Sequence, residues 1–253
     1  MNKKDLPFEI ILEDENYIFI NKNSGILTIP DRYNHNLPNL VSILSYYRQN
    51  IFVVHRLDKD TSGVMMFAKN EKSHKLANTL FEDQLVERKY HVLVRGQFPM
   101  DEIEIDIPLL MNMADKGRVI PSARGKHSLT KVKILEKFRY ATLLECELVT
   151  GRQHQIRVHL STIGFPLLVD NLYSDNKEFY LSMIKRNYNS NKEIEEKPIL
   201  NRLSMHSFSL KYKDEISGKE IFATANYPKD FETALKLLRK YSKFRQARNN
   251  KYS

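Results

Sequence analysis

Two short apolar runs, Ile51-Phe52-Val53-Val54 and Val64-Met65-Met66-Phe67, bracket the polar segment His55-Arg56-Leu57-Asp58-Lys59-Asp60-Thr61-Ser62-Gly63. Runs this short are strand-sized and carry no helical period, so the segment reads as a strand–loop–strand unit with Asp58 at its mouth. Loops held by rigid strands are where catalytic groups concentrate. Taken alone the string is equally an ordinary turn, because Asp and Ser bond the local backbone and Gly accepts positive φ. It also matches the opening of an EF-hand calcium loop. Counted from Asp58, the position that must carry the closing bidentate Glu is Lys69, and neither flank is an amphipathic helix. The calcium reading fails.

The rest of the chain alternates strand-sized and helix-sized segments. Phe8–Leu12 and Tyr17–Ile20 read as strands joined by a polar turn, and Leu37–Tyr47 carries apolar residues at helical spacing. Glu71–Phe81 reads as a second helix and Lys89–Val94 as a strand; Thr130–Leu135 and Ala141–Val149 read as paired strands. Gln153–Ile163 reads as a short helix, with Thr150 or Gly151 as its cap. Strand patterns return at Leu203–Tyr212 and Glu220–Tyr227, and a basic helix closes the chain. Residues 174–198 are rich in Lys, Glu and Asn and read as an inserted polar excursion. Strands and helices intersperse without a βαβ repeat, which predicts an α+β domain on a mixed, largely antiparallel sheet flanked by helices. No linker separates two domains.

Composition narrows the setting. Of 253 residues 42% are hydrophobic, enough for a sizeable core, and Cys146 is the one cysteine, which excludes an intramolecular disulfide or a Cys-rich zinc site. No apolar stretch approaches the roughly 20 residues of a membrane span, and the N-terminus lacks a secretory signal, so no membrane partner and a cytoplasmic location are expected. The net charge of +9 points to a polyanion, but seven basic residues and no acid lie from Ala234 onward (Lys236, Arg239, Lys240, Lys243, Arg245, Arg248, Lys251). The charge belongs mostly to the tail, which reads either as a phosphate-contacting element or as a solvated helix end.

Three further segments hold chemistry-bearing residues. In Glu87-Arg88-Lys89-Tyr90-His91 a tyrosine enters an apolar strand after two cations. Thr150-Gly151-Arg152-Gln153-His154-Gln155-Ile156-Arg157-Val158-His159 holds two arginines and two histidines without an acid, and a helix start there favours a phosphate. Asp170-Asn171-Leu172-Tyr173 reads alone as a turn. The histidines lack partners at metal-ligand spacing and there is no Gly-rich phosphate loop, so neither a metal nor an organic cofactor is expected.

These segments together carry a family resemblance. His55–Gly63 resembles the catalytic motif of the RluA-type RNA pseudouridine synthases, Lys89-Tyr90 the family's tyrosine motif, and Thr150–Leu160 its arginine motif. Ile11–Lys22 resembles its opening strand pair, and Gly164-Phe165-Pro166, Asp170–Tyr173 and Met205-His206-Ser207 its later blocks. The resemblance covers about residues 8–228 in order. It implies a pseudouridine synthase fold and one catalytic domain over 1–253, with its core at about 8–228, the polar insertion at 174–198 and a basic C-terminal helix and tail at 229–253. It further implies that Asp58 is the essential carboxylate, Tyr90 the active-site aromatic and Arg157 its basic partner. Arg56 would occupy the space left by a flipped base, and Arg152, His154 and Gln155 would contact the RNA.

The implied reaction is isomerisation of specific uridines in structured rRNA or tRNA by a monomer. The chain departs from the family pattern at Ser207, where a small residue is common, and after Tyr173, where a glycine is common. The departures bear on substrate selection. Two other readings compete: a catalytically silent RNA-binding protein on the same scaffold, and a glycosidase using Asp58 with Asp60. Asp58, Tyr90 and Arg157 all being present weighs against the first, and neighbours on one turn pointing apart weighs against the second.

Overall fold

The computed structural model describes residues 6–48, 50–115, 117–188, 195–215 and 218–244. In chain order these form β1 (Phe8–Glu13), β2 (Tyr17–Lys22), α1 (Leu40–Tyr47), β3 (Phe52–Val53), β4 (Ser62–Ala68), α2 (Glu71–Glu82), β5 (Glu87–Arg95) and β6 (Glu102–Asp106). There follow β7 (Leu109–Met111), β8 (Val119–Pro121), β9 (Leu129–Lys137), β10 (Ala141–Leu148), α3 (Gln155–Thr162), β11 (Met205–Lys213), β12 (Glu220–Thr224) and α4 (Lys229–Tyr241). The main sheet runs β1-β2-β4-β11-β5-β10-β9-β6, with β3 paired to β4 and β12 to β11, while β7 and β8 form a separate ribbon. Among the strands of the described residues β4–β11 is the one parallel pair. The fold is α+β with a mixed, largely antiparallel sheet, as the segment pattern predicts. No helix of the described residues is long and apolar enough to cross a membrane.

The sheet centre is covered on both faces. β4 is buried along its whole length, so it reads as a continuous apolar run. On one face Ile18, Ile20, Met65, Phe67, Val92 and Val94 pack with α1 and α3 through Leu40, Leu44, Ile156 and Leu160. On the other, Phe19, Val64 and Met66 pack with Ala77 and Leu80 of α2, and Leu93 and Leu143 pack with Phe231, Leu235 and Leu238 of α4. Toward β6 the second face is left open and carries cross-strand Lys and Glu, such as Lys133–Glu102 at 3.3 Å.

Several local expectations are corrected. α1 starts at Leu40 because Pro38 precedes a cap at Asn39, whose side chain accepts from Ser42 N–H at 2.9 Å. Neither Thr150 nor Gly151 caps α3: the cap is His154, in the left-handed region at φ 53°, with no side-chain capping bond. Residues 174–188 are not merely a polar excursion, because Phe179 and Ile184 are buried against the α4 core and Phe179 N–H bonds Leu200 O at 2.8 Å. Residues 189–194 of that stretch lie outside the described residues, as do Arg245, Arg248 and Lys251 of the tail. Of the tail cations within α4, Arg239 already pairs with Glu136 at 2.8 Å.

Candidate active site

The loop after β3 is held from several sides. Lys22, the last residue of β2, is fully buried and donates to the carbonyls of Asn23 (3.0 Å), Lys59 (2.8 Å) and Thr61 (2.7 Å). Burial pulls its pKa down to about 7, with the charges of Asp60 and then Asp58 opposing. Three carbonyls that each take one N–H match the ammonium form. His55 opens the loop: its Nε2 accepts Met66 N–H at 2.9 Å and its ring stacks on Phe81, centroids 4.8 Å apart. Accepting at Nε2 requires a neutral ring, and burial pushes its pKa down to about 3.

Where the loop rejoins the sheet, Gly63 has φ 116°, and a Cβ there would stand 2.1 Å from Ser207 O. Only glycine lets β4 and β11 approach so closely. Ser62 Oγ bonds His206 Nδ1 at 2.9 Å and Arg202 Nη1 at 3.3 Å, and Arg202 grips Asp230 of α4 with two bonds of 2.6 and 2.7 Å. The C-terminal helix is thereby tied to the start of β4, where the loop carrying Asp58 ends.

Asp58 meets Arg157 across 99 residues of sequence. Arg157 Nη1 donates to Asp58 Oδ2 at 3.0 Å, while Nε and Nη2 donate to Asp170 Oδ2 and Oδ1 at 2.8 and 2.7 Å. Asp170 is fully buried and its Oδ1 also accepts the N–H groups of Leu172 (2.8 Å) and Tyr173 (3.2 Å). Burial opposes the Arg157 charge, but Asp170 and then Asp58 hold its pKa above the ordinary value. The bidentate grip fixes the plane of the guanidinium, and one remaining donor aims at Asp58. Among the described residues nothing bonds Asp58 Oδ1, and Asp58 lines a cleft of about 560 Å³.

His154 brings a second donor. Its Nε2 lies 3.7 Å from Asp58 Oδ2, and its Nδ1 lies 2.9 Å from Tyr173 Oη, which also accepts Val119 N–H of β8 at 2.8 Å. With its oxygen already accepting, the Tyr173 hydroxyl donates to Nδ1 and leaves the proton on Nε2, facing Asp58. Burial lowers the His154 pKa, and the Asp58 charge opposes. The Tyr173 ring also lies 5.0 Å under the Arg157 guanidinium. Tyr90 of β5 is buried and lines the same cleft; burial raises its phenol pKa, so it stands protonated.

Of the residues singled out from sequence, Asp58, Tyr90, Arg56, Arg152 and His154 converge on the cleft, with Arg157 directly behind Asp58. Arg56 and Arg152 are exposed on its rim, Arg152 bonding His127 O at 3.1 Å through Nε. Gln155 reaches the wall but is no free contact. Its Oε1 accepts from Thr150 Oγ1 (2.8 Å) and Arg152 N–H (3.0 Å), and its Nε2 donates to Leu129 O (3.0 Å) and Thr130 Oγ1 (2.9 Å). That capacity is filled, which corrects the expectation of an RNA contact: Gln155 locks the turn before α3. No cluster of metal-ligating side chains occurs among the described residues.

The sequence places Lys22, Arg88, Asp170 and Tyr173 in notable segments without pointing to a role for any of them. One signal was available: Lys22 and Asp170 each close an apolar run, where a charge becomes buried and needs partners.

The family model described as RNA pseudouridylate synthase matches residues 16–162. Ribosomal large subunit pseudouridine synthase D of Zymomonas mobilis is 30% identical over 247 residues, covering 93% of this chain and 74% of that one. An uncharacterized RNA pseudouridine synthase of Bacillus subtilis, YlyB, is 35% identical over 181 residues, or 68% of this chain and 59% of its own length. In fold, human RNA pseudouridylate synthase domain containing 4 superposes with a TM-score of 0.71 at 24% identity, over 91% of this chain and 92% of the other. With the ordered motifs and the matched family model together, this chain belongs to the RNA pseudouridylate synthase family, in its RluA-type branch.

Proposed function

We propose that this chain isomerises specific uridines in structured rRNA or tRNA to pseudouridine, with residues 1–253 acting as one catalytic domain and Asp58 as the essential carboxylate. The observation that carries this reading is the division of labour on Arg157. Two of its donors are consumed by Asp170 and one is left for Asp58, which lines the cleft and whose second oxygen has no hydrogen bond among the described residues.

In the reaction the N1–C1′ bond breaks, the base turns, C5 bonds C1′, the C5 proton leaves and N1 regains one. An ionised carboxylate serves that sequence at the sugar, as nucleophile at C1′ or as base at C2′. Arg157 orients that carboxylate through its Nη1 hydrogen bond. Tyr90 supplies an apolar face for the detached uracil and a hydroxyl near the path of the departing C5 proton. Arg56 and Arg152 give the mouth a cationic rim suited to phosphates, and His154 stands inside it as a neutral hydrogen-bond donor to the substrate. A target base inside a helix must leave its stack, at a cost of a few kcal/mol. Arg56 would fill the gap, a role its exposure on the rim supports.

The test is tritium release from rRNA and tRNA labelled at uridine C5. The wild-type chain should release tritium and Asp58→Asn should not, while both bind the RNA. No release by the wild type from either RNA class contradicts the proposal and favours a silent binding protein; release by Asp58→Asn at the wild-type rate removes Asp58 from its role.

A further inference from the structure

Arg88 enters from β5 two residues before Tyr90, and its guanidinium is only partly used. Nη2 donates to Leu148 O at 3.1 Å and Val149 O at 3.4 Å, whereas Nε is buried with no acceptor. Among the described residues no carboxylate lies within 4.0 Å of it. The turn lies close over the head: a Cβ on Gly151 would stand 2.7 Å from Nη1. Phe81 lies 5.6 Å beneath it. The head lines the cleft together with Tyr90, Gly151, Arg152 and His154. Glu82 lines it too, without forming an ion pair with Arg88.

A partly buried cation with no anion is an incomplete arrangement, because burial strips water and nothing replaces its charge. We propose that Arg88 is the receptor for an RNA backbone phosphate next to the target uridine. A planar fork with free donors matches a phosphate, and its preset plane loses little on binding. The place along the RNA follows from its neighbours. Arg88 and Tyr90 lie two apart on β5 and so face the same side of the strand, and both line the cleft that Asp58 lines. Asp58 pairs with Arg157 and not with Arg88, so Arg88 addresses a flanking phosphate rather than the reacting sugar. This assignment rests on the reading of the substrate as RNA.

Binding of the full chain to a substrate RNA is measured against salt for wild type, Arg88→Met and Arg88→Lys, with Arg88→Gln as a second neutral variant should Arg88→Met fail to fold. One lost phosphate contact lowers the slope of log K against log salt by about 0.7 to 0.9. The neutral variant should show that decrease and Arg88→Lys should not. A neutral methylphosphonate is then walked through the phosphates flanking the target. At one position it should weaken wild-type binding about tenfold or more and add nothing in the neutral variant, since both remove one contact. A wild-type slope in the neutral variant, or additive losses at every position, would make Arg88 a pin for the Leu148–Gly151 turn and overturn the assignment. If the wild type neither binds the RNA nor releases tritium from it, the functional reading falls and takes this with it. If the wild type does both, only the phosphate assignment is at stake.

Discussion

Arg157 and Arg88 serve the same cleft with opposite partners. Arg157 stands behind Asp58, 7% exposed, with two carboxylates spread across its three bonding nitrogens. Arg88 stands on the wall with two carbonyls, one orphaned nitrogen and, among the described residues, no carboxylate. A compensated cation is rigid and orients its neighbour. An uncompensated one favours an incoming anion. On the proposed reading, the difference teaches that the cleft separates the chemistry from the grip on the RNA backbone, with Arg157 serving the first task and Arg88 the second.

The largest effect should come from breaking the compensated side. Asp170→Asn keeps the shape but leaves the buried Arg157 underpaired, and loss of one partner of such a pair costs about 3 kcal/mol or more. Denaturant unfolding should show that loss. A guanidinium free to drift should also lower kcat on the order of 100-fold. Wild-type stability in Asp170→Asn would remove the clamp from the account.

The uncompensated side should respond differently. Arg88→Met keeps volume and deletes a charge that has no counterion, so unfolding should change by less than about 1 kcal/mol in either direction. A loss matching that of Asp170→Asn would erase the distinction between the two arginines.

The smallest effect is a shift in pH dependence. Tyr173 Oη donates to His154 Nδ1 and so favours the neutral ring whose Nε2–H faces Asp58. His154 already lies below its ordinary pKa through burial. Removing the donor in Tyr173→Phe weakens the neutral form, so its pKa must rise. Activity that needs neutral His154 is lost as pH falls through that pKa; the acidic limb of the rate profile should therefore move to higher pH, by under about one unit. An unmoved limb would mean that His154 is not held by Tyr173 for this purpose.

Much of this was legible before any coordinates, for definite reasons. The β3–loop–β4 unit announces itself because strand-sized apolar runs flank turn residues, and Asp58, Tyr90 and Arg157 sit in ordered motifs. The ribbon β7–β8 was not legible because its strands are only three residues long, whereas β6 carries a signal that went unused: Glu102-Ile103-Glu104-Ile105-Asp106-Ile107 alternates charged and apolar as a half-buried strand does. The cap of α3 was misplaced because Thr150 bonds a glutamine side chain, not the helix backbone. Asp170 looked like a turn residue, and locally it is one; its grip on Arg157 is a tertiary pairing that no periodicity encodes. Arg88 stood in plain view beside Lys89, yet only the structure shows that Lys89 faces Glu145 while Arg88 has no acid.

The measurement that tests the central claim most directly is the split between kcat and KM in tritium release from one C5-labelled RNA. The account predicts that Asp170→Asn loses kcat, on the order of 100-fold, while the loss in Arg88→Met falls on KM, about tenfold or more for one charged hydrogen bond. Both losses in the same parameter would contradict it.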